Sequence, residues 1–343
     1  MRPLALGFIG LGRAATRLHL PPLQRMVDEG AVELAAFCDS SIETAREAAR
    51  TFGAGRVYDD HRAMLDAERL EALLVCIPPT LHTDAELLAA ERGIALFVEK
   101  PQTLDLGQAI RYDDAIRRAG IVTQIGFHHR YLEAAARMRS LLTERTPRHV
   151  LAHQLYSGAP VIYWTSRFEL CGGSFVEHGI HTVDLLRFWL GDIASVAAFY
   201  VDRRPGEGPE PMNLPHVYNV SYRFVSGTTA NVTMSRVLTK VDYRRAETLV
   251  VADDALLEWT PKTIVENGET IWSTAAEPDP DGPQMRAFID AVRCGDPGTV
   301  LSPSADALQS LAAVLAANES AARGGALVHV DEFIERARRS GMP

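Results

Sequence analysis

The chain has 343 residues, enough for two domains with separate cores, since single domains commonly contain about 100–200 residues. Its hydrophobic content of 47% and charged content of 23% are those of an ordinary globular protein. The formal charge of −9 argues against a nucleic acid or an anionic membrane as the partner, because phosphate-rich surfaces are bound by basic patches.

Cysteine usage and the N-terminus predict a cytoplasmic protein. The four cysteines are widely spaced and form no CxxC pattern, which favours neither a disulfide framework nor a zinc site. Cys38 and Cys76 lie in apolar runs and are predicted to be core residues. The N-terminus enters a strand motif without a signal peptide, and no apolar run is expected to be long enough to cross a bilayer.

The first predicted strand, Leu4 to Ile9, leads into a turn with the G-x-G-x-x-A spacing of dinucleotide-binding proteins. Gly10 would allow the tight turn, and Gly12 would let the backbone approach a pyrophosphate. Ala15 would let the following helix pack closely on the sheet, and the N–H groups that begin this helix would hold phosphates. The predicted cofactor contacts in this segment are Gly10, Gly12, Arg13 and Ala14.

The second predicted strand, Val32 to Cys38, ends in Asp39. A carboxylate at this position accepts hydrogen bonds from both ribose hydroxyls and repels a 2′-phosphate, so we predict NAD rather than NADP as the cofactor. The alternative is that Asp39 only caps a helix beginning near Ser40 or Ser41. NADP also stays possible, because Arg46 could reach a phosphate.

Three further apolar runs predict parallel strands that are buried on both faces: Leu70–Ile77, Ala95–Val98 and Ile121–Phe127. Their alternation with helices predicts an α/β Rossmann domain, a doubly wound parallel sheet, over residues 1–127. Ligands of such sheets bind at the carboxyl ends of the strands, where the candidate cofactor contacts are Pro78, His82, Glu99 and Lys100. His82 could instead only cap the helix that follows it.

From residue 128 the pattern changes to a helix near residues 132–144 and then a series of strands. A hairpin turn at Val225–Thr228 indicates that these strands are antiparallel. The strands are predicted near residues 149–156, 196–202, 217–224, 228–237, 247–251, 256–259, 263–266, 270–273 and 327–330, with late helices at Gln284–Arg293 and Ser304–Arg323. The second domain is therefore predicted to cover residues 128–343.

One predicted helix in this domain, from Gly172 to Leu190, contains the densest group of ionisable side chains. Ser174 is the predicted N-cap, and Gly191 is predicted to end the helix. At about 100° per residue, Glu177, His181, Asp184 and Phe188 fall on one line. His181 could carry a proton because imidazole titrates near neutral pH, whereas Glu177 could complete a capping box with Ser174 and do no chemistry.

Several other side chains are candidates for substrate binding. Tyr163 and Trp164 offer a flat apolar surface suited to a sugar ring, although aromatic clusters are as often part of a core. Arg130 could bind substrate hydroxyls or a carboxylate, or could form an ion pair with an acid of the second domain. The histidines raise the possibility of a metal, but hydride transfer can proceed without one, and no metal is predicted.

Taken together, Gly10-x-Gly12-x-x-Ala15, Glu99-Lys100-Pro101 and the segment 172–184 resemble the Gfo/Idh/MocA oxidoreductases, the family of glucose-fructose oxidoreductase and inositol dehydrogenase. The resemblance covers essentially the whole chain. It implies an NAD(P)-dependent oxidoreductase that transfers a hydride between nicotinamide and a secondary alcohol or ketone of a sugar, cyclitol or related polyol. It also implies an α+β C-terminal domain with a large, mainly antiparallel open sheet, often buried between the subunits of a homodimer or homotetramer.

The resemblance implies catalytic roles for three residues. Lys100 matches the lysine that contacts the reacting oxygen, and His181 matches the general acid/base. Glu177 stands where many members carry an aspartate, so its role stays open between catalysis and capping; Asp184 could orient the imidazole or contact substrate. Two other functions stay possible: an enzyme that oxidises a sugar transiently with no net redox change, and a dinucleotide sensor without activity.

Overall fold

The computed structural model describes residues 2–53, 55–158, 163–204, 206–207, 210–238 and 241–341. Its strands are β1 (Leu4–Ile9), β2 (Val32–Cys38), β3 (Arg56–Tyr58), β4 (Ala72–Val75), β5 (Ala95–Val98), β6 (Thr123–Ile125), β7 (Pro147–Ser157), β8 (Ile193–Val201), β9 (Val217–Phe224), β10 (Thr229–Leu238), β11 (Arg244–Ala252), β12 (Leu256–Trp259), β13 (Thr263–Glu266), β14 (Glu269–Ser273) and β15 (Val328–His329). Its α-helices are α1 (Leu20–Asp28), α2 (Ile42–Phe52), α3 (His61–Ala67), α4 (Ala85–Glu91), α5 (Leu106–Ala119), α6 (Glu133–Thr143), α7 (Phe168–Cys171), α8 (Ile180–Leu190), α9 (Asp281–Cys294), α10 (Ser304–Ala322) and α11 (Val330–Ser340). Two π-helical turns, Ala15–His19 and Phe175–Gly179, lead directly into α1 and α8.

The chain divides into two compact units, and each unit consists of three separate segments of the sequence. The first unit contains residues 1–103, 108–131 and 279–307, and the second contains residues 104–107, 132–278 and 308–343. Helix α9 therefore lies in the first unit, whereas the domain boundary predicted from the sequence, after residue 127, assigns it to the second domain. Its Phe288 is fully buried there and packs edge-to-face against Phe97 of β5, with ring centroids 5.8 Å apart.

The first unit contains the predicted doubly wound sheet, which confirms the Rossmann architecture. All six strands are parallel, in the order β3-β2-β1-β4-β5-β6. The strand order reverses between β1 and β4, and ligands of such sheets bind outside the carboxyl ends at that point. The edge strand β3 and helix α3 are absent from the sequence-based prediction, because a three-residue strand with half-exposed side chains leaves no apolar run.

Burial in this sheet follows the predicted apolar runs. Leu6 and Phe8 of β1, Phe37 of β2 and Leu74 of β4 are fully buried in one cluster with side chains of α1, α2 and α9. Cys38 and Cys76 are buried free thiols, as predicted. The carboxyl ends of β1 and β4 are thus fixed by packing, and the turns that follow them can hold polar groups in defined positions.

The second unit is built on a nine-stranded sheet in the order β14-β13-β12-β11-β7-β10-β9-β8-β15. The strands pair antiparallel except for β7 and β10, which are parallel neighbours. The prediction of antiparallel pairing is therefore wrong at this junction. Because β7 and β10 are far apart in sequence, no hairpin turn constrains their relative direction.

The two faces of this sheet differ in burial. In β7, Val150 and Ala152 are buried, whereas Leu151 between them is 43% exposed. Helices cover the buried face: Gln154 of β7 donates to Thr182 Oγ1 of α8 at 2.6 Å, and Tyr222 of β9 donates to the carbonyl oxygen of Ala313 in α10. The prediction of an α+β domain with a large, mainly antiparallel sheet is confirmed.

One helical segment, Pro297–Ala322, is long and apolar enough by composition to cross a membrane. The expectation that no run reaches this length is therefore wrong. Two thirds of its most apolar window is buried inside the folded chain, as in the core helix of a globular domain, so this segment gives only weak support for a membrane span.

Candidate active site

The glycine-rich turn after β1 has the geometry that its sequence predicts. Gly10 has φ +83°, and a Cβ there would lie 2.5 Å from the carbonyl oxygen of Cys76, at the end of β4. A Cβ on Gly12 would meet no atom within 4 Å, which leaves its backbone open to a ligand. Ala15 is fully buried, whereas Arg13 is exposed and Ala14 half-buried at the start of the helix. These positions suit a pyrophosphate at the helix N-terminus.

Asp39 fixes this turn relative to the end of β2. Its Oδ2 accepts a hydrogen bond from the N–H of Leu11 at 2.9 Å, and its Oδ1 accepts one from the N–H of Ser41 at 3.0 Å. Ser41 itself caps α2 by accepting from the N–H of Thr44. The alternative in which Asp39 is the helix cap is therefore wrong, and its carboxylate lies beside the glycine-rich turn.

The π-helical turn that follows holds a buried pair that sequence analysis missed. Nε2 of His19 lies 2.6 Å from Oε1 of Glu99, and both side chains are buried. Glu99 Oε2 also accepts from the N–H of Lys100 at 3.0 Å, and a Cβ on Gly126 would lie 2.7 Å from Glu99 Oε1. Single π-helical turns within helices occur frequently at functional sites. No sequence signal identified His19, because it is one polar residue in a helix start.

The electrostatics of this pair favour an ionised carboxylate. Burial alone would raise the pKa of Glu99, but the hydrogen bond from His19 and the charges of His19, Lys100 and His128 outweigh it, so the pKa lies below its ordinary value. The end of β5 therefore has a fixed negative charge one residue before Lys100. Lys100 itself is half-buried, and its peptide bond to Pro101 is cis.

His82 and Pro78 occupy the turn after β4. The imidazole Nδ1 of His82 contacts Glu86 Oε1 in the first turn of α4, and both side chains are buried. Pro78 is half-buried, and its carbonyl oxygen accepts from the N–H of Leu81 at 2.9 Å. His82 therefore binds a side chain of the following helix rather than capping its backbone.

The short 3₁₀ turn His128–Tyr131 follows β6. The rings of His128 and His129 stack with centroids 4.9 Å apart, and His128 Nδ1 lies 2.6 Å from Asp281 Oδ1. Burial, together with the positive charges of His128 and Lys100, lowers the pKa of His129 to about 3. This imidazole is therefore neutral at physiological pH.

Arg130 is buried and engaged within the first unit. Its guanidinium lies 2.6 Å from Asp306 Oδ2 and donates to the carbonyl oxygen of Leu301 at 2.5 Å. The structure shows the predicted alternative, an ion pair. The partner was expected to be an acid of the second domain, but Asp306 belongs to the first unit. A substrate hydroxyl would have to displace these partners.

In the second unit, the helix that carries His181 begins differently from its prediction. Ser174 has helical backbone angles, its side chain accepts no hydrogen bond from the next turn, and its N–H donates to the hydroxyl of Tyr218 at 3.0 Å. Ser174 therefore occupies the predicted N-cap position, but the predicted hydrogen bond to its hydroxyl is absent, and the capping box with Glu177 is wrong for the same reason. The end is as predicted, at Gly191, which has a positive φ.

The π-helical turn also changes which side chains share a face. It contains more residues than an α-helical turn, so the step of 100° per residue does not hold from Glu177 to His181. Glu177 is buried against Nδ1 of His178, whereas His181 is half-exposed at the first turn of α8. The predicted line of four side chains is therefore wrong across this turn, but a carboxylate and an imidazole remain at the start of the helix.

Asp184 is placed in the core rather than at an accessible surface. It is fully buried, and its Oδ1 accepts from the hydroxyl of Ser310 in α10 at 2.7 Å. Arg187 donates to the same hydroxyl at 2.8 Å. The substrate-binding role predicted for Asp184 does not fit this burial, because a ligand could not reach the carboxylate without displacing α10.

The two aromatic candidates differ in exposure. Tyr163 is 62% exposed at the start of a 3₁₀ turn. Trp164 packs against a small buried cluster of Cys171, Met212 and Leu214. Of these two residues, only Tyr163 therefore keeps an exposed aromatic ring. Trp164 belongs to a core, which was the alternative to substrate binding.

Comparison with known proteins places these features in a family. The family model "Oxidoreductase family, NAD-binding Rossmann fold" matches residues 4–127, and "GFO/IDH/MocA C-terminal domain" matches residues 146–253. The two models together match well over half of the chain. They coincide with the sheet that carries the glycine-rich turn and with the central strands of the second sheet.

Curated relatives and solved structures agree with this assignment. D-glucoside 3-dehydrogenase of Escherichia coli (strain K12) is 30% identical over 194 residues, 55% of this chain and 54% of that enzyme, so the match spans only about half of the relative's length. D-xylose 1-dehydrogenase (NADP(+)) 2 of Haloferax volcanii is 25% identical over 96% of this chain and 100% of its own length. The crystal structure of an oxidoreductase from Thermotoga maritima has a TM-score of 0.85 at 22% identity, covering 97% of this chain and 100% of that chain, and shows the same fold.

Proposed function

Because the chain belongs to the Gfo/Idh/MocA family of oxidoreductases, we propose that it transfers a hydride between a nicotinamide dinucleotide and a secondary alcohol or ketone of a sugar, cyclitol or related polyol. The observation that supports this most is the glycine-rich turn at the strand-order reversal, where Gly10 has a positive φ that other residues rarely adopt and Gly12 is open. The cofactor supplies or accepts the hydride. The residues of the chain bind it, orient the substrate and move the hydroxyl proton.

Lys100 is proposed to stabilise the oxygen that becomes an alkoxide in the transition state. A fixed positive charge at that oxygen lowers the barrier because the charge develops only there. Glu99 supports this role, since its ionised carboxylate is fixed by His19 and accepts the backbone N–H of Lys100. The neutral His129 beside Lys100 adds no competing charge.

His181 is proposed as the general acid/base, and Glu177 as a carboxylate that supports its protonated form. An imidazole can take the hydroxyl proton during oxidation and return it during reduction near neutral pH. His181 is half-exposed at the first turn of α8, which leaves it accessible.

NAD is the proposed cofactor, with Asp39 as the selecting residue. Replacing Asp39 by Ala removes the carboxylate that would repel a 2′-phosphate, so we expect the ratio of kcat/KM with NAD to that with NADP to fall by about tenfold or more. Steady-state kinetics with both cofactors measure this ratio. Ser40→Ala, an exposed neighbour, is the matched control. An unchanged ratio in Asp39→Ala would contradict the assignment.

We further propose a cytoplasmic homo-oligomer that assembles through the open face of the nine-stranded sheet. Leu151, Val251 and Phe199 are exposed on this face, between 38% and 61%. Burying such side chains favours association by about 25 cal/mol per Å² of apolar surface. We expect a dimer or tetramer by light scattering and smaller species for Leu151→Asp. A monomeric unmutated chain at micromolar concentration would refute this interface.

A further inference from the structure

A row of three side chains crosses the centre of the nine-stranded sheet. Tyr156 of β7 is paired in register with Arg244 of β11, and Arg236 follows Ser235, the β10 partner of Leu155. The guanidinium carbons of Arg236 and Arg244 lie 5.6 and 5.0 Å from the centroid of the Tyr156 ring. One tyrosine therefore positions two arginines by cation–π contact.

This row lies on the helix-covered face of the sheet, close to the start of the helix that carries His181. Side chains alternate along a strand, so Tyr156 points to the same face as Gln154, which binds Thr182 of α8. Glu177 lies close enough for its charge to act on the pKa of Arg236. The two arginines therefore belong to the same region of the second unit as the proposed acid/base.

Within the part of the chain that the structure describes, the positive charge of the row is offset only in part, by the charge of Glu177. There, neither Arg236 nor Arg244 forms an ion pair or a side-chain hydrogen bond, although Arg245 on the opposite face pairs with Glu247 at 2.8 Å. Burial lowers the pKa of Arg236, because its guanidinium has lost part of its hydration. An anionic ligand would replace this lost hydration with direct hydrogen bonds and opposite charge.

We propose that Arg236 and Arg244 bind an anionic group of the substrate, a carboxylate or a phosphate, and that the substrate is an acidic sugar or polyol. The inference rests on the proposed hydride transfer for the position of the substrate. Guanidinium groups bind carboxylates and phosphates through parallel N–H···O bonds, and the cation–π contacts with Tyr156 would hold both groups in place. In the strand pattern, Arg236 takes an inward position after the buried Ala230, Val232 and Met234.

The test compares ligands that differ only in the anionic group. The pairs are D-glucose with D-glucuronate and with D-glucose 6-phosphate, D-glucitol with D-gluconate, and myo-inositol with myo-inositol 1-phosphate. Turnover is followed by nicotinamide absorbance, and ligand binding to the chain saturated with cofactor is measured by calorimetry. The variants are Arg236→Met, Arg244→Met and the charge-retaining Arg236→Lys. Arg245→Met is the matched control, since it lies on the same strand as Arg244 but faces the other way.

We expect the unmutated chain to prefer at least one anionic ligand over its neutral parent. Arg236→Met and Arg244→Met should lower kcat/KM and affinity for that ligand by about 10- to 100-fold, with KM for the cofactor and kinetics on the neutral parent within about twofold. Arg236→Lys should recover part of the loss, which separates charge from folding. The pair that responds distinguishes a carboxylate from a phosphate.

Two results overturn this inference: a preference for neutral ligands throughout, or equal losses on neutral and anionic members of a pair. If no ligand is turned over, the proposed hydride transfer fails, but calorimetry still decides this inference. Anion binding that Arg236→Met abolishes and Arg245→Met retains then supports it. Absence of anion binding to the unmutated chain refutes it.

Discussion

Replacing His181 by Ala is expected to lower kcat by about 10²- to 10⁴-fold, the usual contribution of a positioned general acid/base. Lys100→Met should lower kcat by about 10²- to 10³-fold, since it removes charge stabilisation of the alkoxide. The dissociation constant for NAD should change little in His181→Ala, because this residue is assigned to the proton and not to the cofactor. Single-turnover kinetics and fluorescence titration with NADH separate the two effects.

His329→Ala is the matched control for this experiment, because His329 is exposed in β15 and has no assigned role in the chemistry. Unimpaired turnover in both His181→Ala and Lys100→Met would eliminate the proposed mechanism. A loss of NADH binding as large as the loss of kcat in His181→Ala would show that the variant disturbs the fold instead.

The second large effect is expected at the buried pair of His19 and Glu99. His19→Leu leaves Glu99 buried without the hydrogen bond that it receives from the imidazole, and breaking such a pair commonly costs about 3–5 kcal/mol. We expect the free energy of unfolding in urea at pH 7 to fall by about this amount. Activity should fall too, because Glu99 accepts the N–H of Lys100.

The pair should also make the stability of the folded chain depend on pH, with stability falling in acid. The pKa of Glu99 is lowered in the folded chain, so the pair contributes stability above the ordinary pKa of the carboxyl, 4.5, and loses it as the pH falls through the folded-state pKa. In His19→Leu, the free energy of unfolding should no longer show this decrease as the pH falls. Glu99→Gln, which keeps a hydrogen-bonding group beside His19, should be destabilised less than His19→Leu; equal or greater destabilisation would argue against the charge-based account.

The sequence predicted the family and the order of most elements, although not β3 and α3. Gly10 illustrates why, since its positive φ belongs to the local turn between β1 and the helical segment that follows, whereas the nearby carbonyl of Cys76 is placed by the pairing of β1 with β4. The buried runs of β1, β4 and β5 were equally visible, because a strand covered on both faces must be apolar throughout. The roles of Lys100 and His181 came from motif resemblance and remain proposals.

What the sequence did not reveal depends on residues that meet only in the folded chain. Helix α9 lies in the first unit because Phe288 packs on Phe97, two residues nearly 200 positions apart. Asp184 matched a motif, but its burial under Ser310 was decided by α10.

By itself, the sequence determined most strands of the two sheets, the glycine-rich turn and the end of the helix that carries His181, because short-range spacing and apolar periodicity encode them. Only the tertiary structure decided the π-helical turns, the His19–Glu99 pair and the row of Arg236, Tyr156 and Arg244. The physical reason is that a hydrogen bond or a cation–π contact depends on distance in space. The fold brings together side chains that are far apart in sequence, and the sequence pattern around each one does not predict its partner.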